Sequence, residues 1–218
     1  MTTMSQKKSW KDSPIAVLDT ETTGLGTEAR IIEMCVRTVD ERQSSSQLAA
    51  TLDPGDIDWE SPDVVEAMAK NEIDRVQLCA SNTFAEMWLM FYTYISRCSF
   101  VLGHFVSFDM RMIEQECRRA NLTLLPPMQQ VDTIWLDWGF HPKQESYRLA
   151  EVAKRWNVTA KQSHRASGDV DTCSEILLAM MPKLPDDTAE FLSACERWHQ
   201  ERTLWREQRE LDRAKEKK

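Results

Sequence analysis

Short apolar runs separated by polar turns open the chain. Residues 15–19 begin with four apolar residues, two of them β-branched, which predicts a short buried strand. Apolar positions at 30–39 and 47–52 predict two further strands, and strands joined so closely favour an antiparallel meander. Pro54 and Gly55 then break the strand-rich section.

Helical spacing dominates the rest of the chain. Short strands are expected at 99–103 and near 131–133, the second passing directly into a helix. Helices are predicted at 62–79, 83–96, 107–120, 146–155 and 168–181. Strands followed by alternating strands and helices predict the α/β class, with a mixed central sheet flanked by helices.

The two ends of the chain differ in composition from its middle. We expect a polar leader at 1–13, one domain at 14–184 and a charged helical extension at 185–218. The apolar stripe of the extension is incomplete and makes a poor coiled coil. The extension is interpreted as a helix packed by one edge on the domain, with a protein-binding helix or a nucleic-acid contact as open alternatives. The stripe comprises Phe191, Ala194, Trp198 and Trp205.

Composition indicates an ordinary globular protein of 218 residues, with 42% hydrophobic and 28% charged residues. The net charge of −8 argues against binding polyanions over the whole surface. No apolar stretch approaches the roughly 20 residues of a membrane span, and the N-terminus does not resemble a signal peptide. The six cysteines form no C-x-x-C pair and predict buried free thiols. A cytoplasmic, reducing location is therefore expected.

Four acidic residues stand at positions where elements begin or end. Asp19 and Glu21 share one face of the first strand, where two carboxylates repel each other unless a cation lies between them. Asp109 and Asp169 each fall in the first turn of a predicted helix, where the helix dipole alone would favour an acid. Together the four carboxylates are typical of a site for two hard divalent cations such as Mg²⁺.

Three segments resemble, in order and spacing, the motifs of the DnaQ-like 3′–5′ exonucleases of the DEDDh type. The first reads Asp-Thr-Glu-Thr-Thr-Gly-Leu at 19–25, and the second reads Gly-His-Phe-Val-Ser-Phe-Asp at 103–109. The third runs from His164 to Asp169, five residues later. The resemblance covers about 15–181 and implies a ribonuclease H-like fold.

The resemblance also assigns roles. It implies that a two-metal centre of Mg²⁺ or Mn²⁺ hydrolyses phosphodiester bonds. His164 would be the general base, since its ordinary pKa near 6.5 suits proton removal at neutral pH. The implied metal-binding acids are Asp19, Glu21, Asp109 and Asp169.

The turn at the end of the first motif is expected to contact substrate. By resemblance, Thr22, Gly24 and Leu25 would line the terminal nucleotide, with core packing as the alternative for Leu25. Arg165 is a further candidate substrate contact. Basic residues must gather on one face for an acidic protein to hold a phosphate track. The candidates for that track are Arg111, Arg118, Arg119, Lys154, Arg155, Lys161 and Arg165.

The chain departs from the family pattern in two places. Phe105 replaces the Asn that usually follows the second-motif His, and its ring could stack on a base. Lys70 and Asn71 stand where the family usually has a His. His104 is interpreted as structural and Asp132 as a helix N-cap.

The sequence therefore predicts a 3′–5′ exonuclease that releases nucleoside monophosphates from single-stranded DNA. An exoribonuclease is the open alternative, since a 2′-OH contact is not visible in sequence. A non-catalytic nucleic-acid-binding or polymerase-associated module is a second alternative. No membrane partner is expected, a protein partner would use the 185–218 helix, and the oligomeric state is left open.

Overall fold

The computed structural model describes residues 9–39, 45–161 and 165–216. Its sheet has five strands in the order β3-β2-β1-β4-β5. The first three strands pair antiparallel, while β4 and β5 run parallel to β1. The predicted mixed sheet and its antiparallel meander are confirmed. The strands are β1 (Ile15–Thr22), β2 (Ile31–Val39), β3 (Ser45–Thr51), β4 (Phe100–Gly103) and β5 (Gln129–Asp132).

Helices cover both faces of this sheet. Side chains alternate along β1, so Ala16 and Leu18 pack towards α3 and α4, whereas Ile15 and Val17 pack towards α5, α6, α7 and α8. The helices are α1 (Pro62–Asn71), α2 (Arg75–Cys79), α3 (Phe84–Ile95), α4 (Val106–Arg119), α5 (Thr133–Phe140), α6 (Leu149–Arg155), α7 (Ala166–Met180) and α8 (Thr188–Glu216). Short 3₁₀ turns occupy Trp10–Asp12 and Met181–Lys183.

Several element boundaries shift by a few residues from the sequence prediction, and two elements differ more clearly. The first strand extends to Thr22 rather than ending near residue 19, because β2 continues to pair with it beyond the apolar residues. The predicted helix at 62–79 is two helices. Glu72 adopts a left-handed conformation with φ of 52° that ends α1, and the side chain of Asp74 caps the start of α2.

Residues from both predicted flanking segments pack into the domain core. Trp10 is 1% exposed and stacks on Phe191 of α8, with ring centroids 3.9 Å apart. Its indole N–H donates to the carbonyl of Pro185 at 2.7 Å. Further along α8, Trp198 lies over Gly139, where an added Cβ would come within 2.3 Å of the indole ring. The first half of α8 is thus attached by one edge, while division of the chain at residues 13 and 184 stays a prediction.

The cysteines match the expected free thiols. All six cysteines are free; five are buried and Cys79 is exposed. Among the described residues, no helix combines the length and apolar character that a membrane span requires.

Candidate active site

The strand β1 extends past its neighbour β4. Pairing between the two ends at Val17 and Leu102, so the later residues of β1 have a strand partner only on the β2 side. The N–H of Thr20 donates instead to Oδ1 of Asp109 at 2.9 Å, and the Thr20 hydroxyl donates to the same oxygen at 2.7 Å. This overhang leaves an opening beside the end of β1, where a polar side chain of α4 takes the place of a strand partner.

Gly103, the last residue of β4, allows this strand to approach β1 closely. An added Cβ there would lie 2.9 Å from the carbonyl oxygen of Leu18 and 3.1 Å from Cβ of Val106. Any side chain at this position would push β4 and the start of α4 away from β1. The glycine of the second motif is therefore needed to bring α4, and with it Asp109, up to the strand.

Three of the four predicted metal-binding acids meet at this opening. Asp19 and Glu21 project from the face of β1 that is covered by α7, and Asp169 lies in the first turn of α7. Each offers a carboxylate oxygen, and these oxygens all lie within 4.8 Å of one another. We call Asp19, Glu21 and Asp169 the acidic cluster.

The electrostatics of the acidic cluster favour a bound cation. Burial raises the pKa of Asp19 well above its usual value, and the charges of Asp109, Asp169 and Glu21 raise it further. Burial and the charge of Asp169 raise the pKa of Glu21 to about 7, with Lys70 acting in the opposite sense. A set of carboxylate oxygens is the donor type that Mg²⁺, Mn²⁺ and Ca²⁺ prefer. The residues therefore fit the divalent metal ions that the resemblance of the three motifs implies.

Asp109 lies beside the acidic cluster rather than within it. It projects from α4, on the opposite face of the sheet, and is held by the two hydrogen bonds from Thr20. Burial raises its pKa to about 7, although those hydrogen bonds lower it. Its charge still acts on Asp19. The structure thus brings three predicted ligands together and places the fourth next to them.

His164, the predicted general base, lies outside the described residues. Its neighbour Arg165, predicted to contact substrate, instead forms an ion pair with Glu33 of β2 at 2.8 Å. The backbone N–H of Ala166 donates to the same carboxylate at 2.9 Å. The guanidinium of Arg165 is thus part of the scaffold of the site in this structure.

Glu33 is a residue that the sequence reasoning missed. It lies directly opposite Glu21 in the β1–β2 register and is buried. Its charge contributes to the raised pKa values of Asp19 and Glu21. A lone acid between Ile32 and Met34, inside an apolar strand, was the available signal.

A cavity of about 320 Å³ adjoins the acidic cluster. Its lining includes Glu21, Thr22, Gly24 and Leu25 from β1 and the following turn, together with Phe108 of α4. Leu25 is 76% exposed, so the alternative that it packs in the core is wrong. The predicted substrate turn therefore borders an open cavity.

The residues at the second departure from the family pattern also lie at this cavity. Lys70 and Asn71 of α1 both line it. Asn71 is buried and its side-chain amide donates to the carbonyl of Thr22 at 3.4 Å. Lys70 brings the positive charge that lowers the pKa of Glu21. The pair thus takes part in shaping the site.

Two structural roles predicted from sequence are confirmed. Nδ1 of His104 lies 2.7 Å from the hydroxyl oxygen of Thr133, and burial lowers the pKa of His104 to about 4, so its ring is neutral at pH 7. Asp132 caps α5 by accepting the N–H of Ile134 at 2.8 Å. It also accepts the N–H of Val106 at the start of α4, at 3.2 Å.

The residues of the predicted phosphate track take part in contacts within the protein. Most of them pair with carboxylates, and Arg111 donates to the carbonyl oxygen of Leu25. The ion pairs are Arg118–Glu114, Arg119–Glu116, Arg155–Asp137, Lys161–Glu175 and Arg165–Glu33. Exposed pairs of this kind are weak, and a phosphate track on these residues stays a prediction.

Comparison with known proteins agrees with the motifs and the fold. The family model described as RNase_T exonuclease matches residues 16–177. A protein of Staphylococcus saprophyticus named 3′-5′ exonuclease DinG is 28% identical over 177 residues, or 79% of this chain. Its counterpart in Staphylococcus epidermidis is 27% identical over 169 residues. The chain spans 19% and 18% of the lengths of these relatives.

Solved structures share the fold at lower sequence identity. Exonuclease X in complex with 5′ overhanging duplex DNA aligns with a TM-score of 0.64 and 18% identity, over 83% of this chain and 99% of that one. Escherichia coli exonuclease I in complex with a dT13 oligonucleotide aligns with a TM-score of 0.62 and 16% identity, over 78% of this chain and 41% of that one. The ribonuclease H-like fold is thereby confirmed. With the family model matching residues 16–177, the chain belongs to the RNase_T exonuclease family, the DnaQ-like exonucleases that its three motifs predicted.

Proposed function

We propose that this protein is a metal-dependent 3′–5′ exonuclease that releases nucleoside monophosphates from the 3′ end of single-stranded DNA. The observation that carries the proposal is the acidic cluster, whose oxygens lie within 4.8 Å of one another beside an open cavity. The names of the DinG relatives support the 3′–5′ direction. The DNA bound in the exonuclease X and exonuclease I structures supports the substrate class.

In this proposal the acidic cluster and Asp109 hold two divalent cations, Mg²⁺ or Mn²⁺. When bound, the cations would neutralise charge on the attacking and leaving oxygens of an in-line displacement. Their positive charge would also offset the repulsion that raises the pKa values of Asp19 and Glu21. Asp109 would contribute from the opposite face of the sheet, at the point where β1 overhangs β4.

His164 would take the proton from the attacking water. Because an unperturbed imidazole has a pKa near 6.5, it is mostly neutral above pH 7 and able to accept that proton. Attack forms a new P–O bond at the terminal phosphorus. The bond to the 3′ oxygen of the preceding nucleotide breaks, and that oxygen takes up a proton from solvent, which yields a 5′-monophosphate and a shortened strand with a free 3′-OH.

The cavity would receive the terminal nucleotide. Thr22 and Gly24 are linked by a hydrogen bond from the Thr22 hydroxyl to the Gly24 carbonyl at 2.7 Å, which gives the turn a defined shape. Leu25 would supply an apolar contact at the edge of the cavity, since its side chain is exposed there. Binding would thus combine backbone and apolar contacts with metal-held phosphate.

The test uses matched single-stranded DNA and RNA oligomers labelled at the 5′ end, incubated with Mg²⁺ or with EDTA. A ladder that shortens from the 3′ end, and that disappears with EDTA, is expected. Asp19→Asn and His164→Ala should lower the rate by at least about 100-fold, as loss of a metal ligand or general base does. Asp171→Asn is the matched control, because Asp171 lies on α7 but pairs with Arg37 away from the acidic cluster.

Faster cleavage of DNA would support the proposed substrate, and faster cleavage of RNA would replace it. Cleavage that persists in EDTA, or products that grow shorter from the 5′ end, would overturn the proposed mechanism or direction.

A further inference from the structure

Phe105 adopts a backbone conformation that its side chain does not favour. It has φ of 70° and ψ of 42°, the left-handed region, at the residue that precedes α4. Asn and Gly tolerate this region, whereas a bulky side chain there is uncommon and strained. The ring is also 56% exposed, so burial offers little compensation. Such a strained residue beside a functional site is a reason to look for a role in binding.

The ring of Phe105 belongs to a small ordered group of side chains. Its plane lies within 16° of that of Phe108, with ring centroids 6.4 Å apart. The guanidinium carbon of Arg111 lies 5.0 Å from the centroid of Phe108. We call Phe105, Phe108 and Arg111 the aromatic strip.

The aromatic strip begins at the candidate active site. Phe108 lines the same cavity as Glu21 and Leu25. Arg111 donates to the carbonyl oxygen of Leu25 at 3.3 Å, which fixes the strip to the turn on the cavity edge. Phe105 does not line that cavity, but its ring centroid lies 6.4 Å from that of the cavity-lining Phe108. Two steps of a stacked strand span about 7 Å, so a nucleotide next to one in the cavity is within reach of Phe105.

We propose that the aromatic strip binds the base of the second nucleotide from the 3′ end, stacked on Phe105. The inference rests on the proposed exonuclease function and adds a selectivity to it. Near-parallel rings offer flat apolar faces, which suit a base of any sequence. The positive charge of Arg111 would lie near the phosphates that join the last nucleotides. Because both faces of a base are covered inside a duplex, this contact favours single-stranded ends.

The test compares DNA oligonucleotides that differ only at the second nucleotide from the 3′ end, which is either normal or abasic. Removing this base should lower kcat/KM of the wild type about 5- to 150-fold, the range expected for loss of one base–aromatic contact. Phe105→Tyr keeps a flat ring and should respond like the wild type. In Phe105→Asn, removal of the base should lower kcat/KM less than about 2-fold. Phe105→Leu, whose side chain is apolar but not flat, should behave like Phe105→Asn.

Thermal unfolding checks that the variants fold. Phe105→Asn should have a Tm equal to or above that of the wild type, because Asn tolerates the left-handed conformation. Fluorescence anisotropy of the same oligonucleotides, with Ca²⁺ in place of Mg²⁺, repeats the comparison without relying on hydrolysis.

The outcomes separate this inference from the proposed function. If the wild type hydrolyses normal and abasic oligonucleotides equally, the stacking inference fails while the exonuclease proposal stands. If nothing is hydrolysed but binding depends on the base and on Phe105, the exonuclease proposal fails and the contact stands. If kcat/KM of Phe105→Leu still falls when the base is removed, the contact is simple apolar packing and the stacking inference is wrong. If neither oligonucleotide binds, both proposals are overturned.

Discussion

The carboxylate of Glu33 accepts hydrogen bonds from Nε and Nη2 of Arg165, at 3.1 and 2.8 Å. It also accepts the backbone N–H of Ala166, the first residue of α7, at 2.9 Å. Since Glu33 lies opposite Glu21 in the sheet, one side chain connects the strand pair to the start of the helix that carries Asp169. The relative position of the acidic cluster therefore depends on a residue that is not part of it.

Glu33→Gln should weaken this connection. Loss of the charge-assisted contacts is expected to lower the free energy of unfolding by about 1–3 kcal/mol, towards the lower value because a third of the Arg165 side chain is exposed. The rate constant kcat should fall more than KM rises, because Asp169 is displaced while the turn at residues 22–25, which lines the cavity, is unchanged. Urea unfolding and steady-state kinetics measure the two effects.

Glu114→Gln provides the matched control for that variant. It breaks the exposed i,i+4 ion pair with Arg118, which should contribute less than about 1 kcal/mol. Equal losses of stability and kcat in the two variants would contradict a positioning role for Glu33.

The raised pKa values of the site predict how metal-free stability changes with pH. The pKa of Glu21 rises from 4.5 to about 7 on folding, and that of Asp109 from 3.8 to about 7. At a pH between the unfolded and folded pKa values, the folded chain binds more protons than the unfolded chain. Raising the pH from about 4 to 7 therefore lowers the free energy of unfolding. In EDTA, Glu21→Gln should therefore flatten the profile and gain up to about 3 kcal/mol over the wild type at pH 8.

Urea unfolding in EDTA at pH 5, 6, 7 and 8 measures this profile, with Glu28→Gln in the exposed turn as the control. Added Mn²⁺ should stabilise the wild type more at pH 8 than at pH 5, because metal ligands must be deprotonated. A Glu21→Gln profile that runs parallel to that of the wild type would refute the electrostatic account.

A second buried acid, Glu116, fixes the turn that carries Leu25. It is 1% exposed and accepts hydrogen bonds from Arg30 at 2.8 and 3.2 Å and from the N–H of Ile31 at 3.2 Å. Arg119 pairs with the same carboxylate and donates to the carbonyl of Thr27 at 3.0 Å. The residues that follow Leu25 in the turn are thus attached to α4 through one carboxylate.

Glu116→Gln should loosen this turn, so KM should rise several-fold while kcat changes little. It leaves two partly exposed arginines without a countercharge, and the expected loss of stability is about 1–3 kcal/mol. Glu114→Gln on the same helix serves again as control. A fall in kcat without a change in KM would contradict a role confined to the turn.

The packing of Trp10 on Phe191 predicts which parts of the chain ends are needed for stability. Trp10→Ala should cost about 3–5 kcal/mol, as for other buried aromatic residues. Deleting residues 207–218, which follow the last tryptophan of α8, should cost less than about 1 kcal/mol, since their ion pairs are exposed. Differential scanning calorimetry of the two variants checks this. A larger loss from the deletion would mean that the end of α8 packs on the domain.

Much of the fold could be predicted because local patterns agree with the tertiary structure. The apolar runs of β1 and β2 and the helical spacing of α4 and α7 coincide with packed elements. The end of β1 was misplaced because Asp19 and Glu21 look like the start of a turn in sequence. They continue the strand only because β2 provides hydrogen-bond partners, which no local pattern shows.

The candidate site was predicted by motif, but its supporting contacts were not. Asp19, Glu21 and Asp169 each occupy a distinctive local setting, so the sequence could group them. Glu33 and Arg165 are far apart in the chain, and only the closure of α7 on the sheet brings them together. Likewise, the backbone conformation of Phe105 depends on where β4 ends and α4 begins, and no residue pattern defines that angle.

The proposed two-metal centre of the acidic cluster and Asp109 can be located by anomalous X-ray diffraction from crystals soaked in Mn²⁺. Two manganese peaks about 3.5–4 Å apart are expected, bounded by Asp19, Glu21, Asp109 and Asp169. Crystals of Asp19→Asn should show a lost or weakened peak. Peaks located elsewhere, or an empty acidic cluster at a Mn²⁺ concentration that supports hydrolysis in solution, would contradict this proposal.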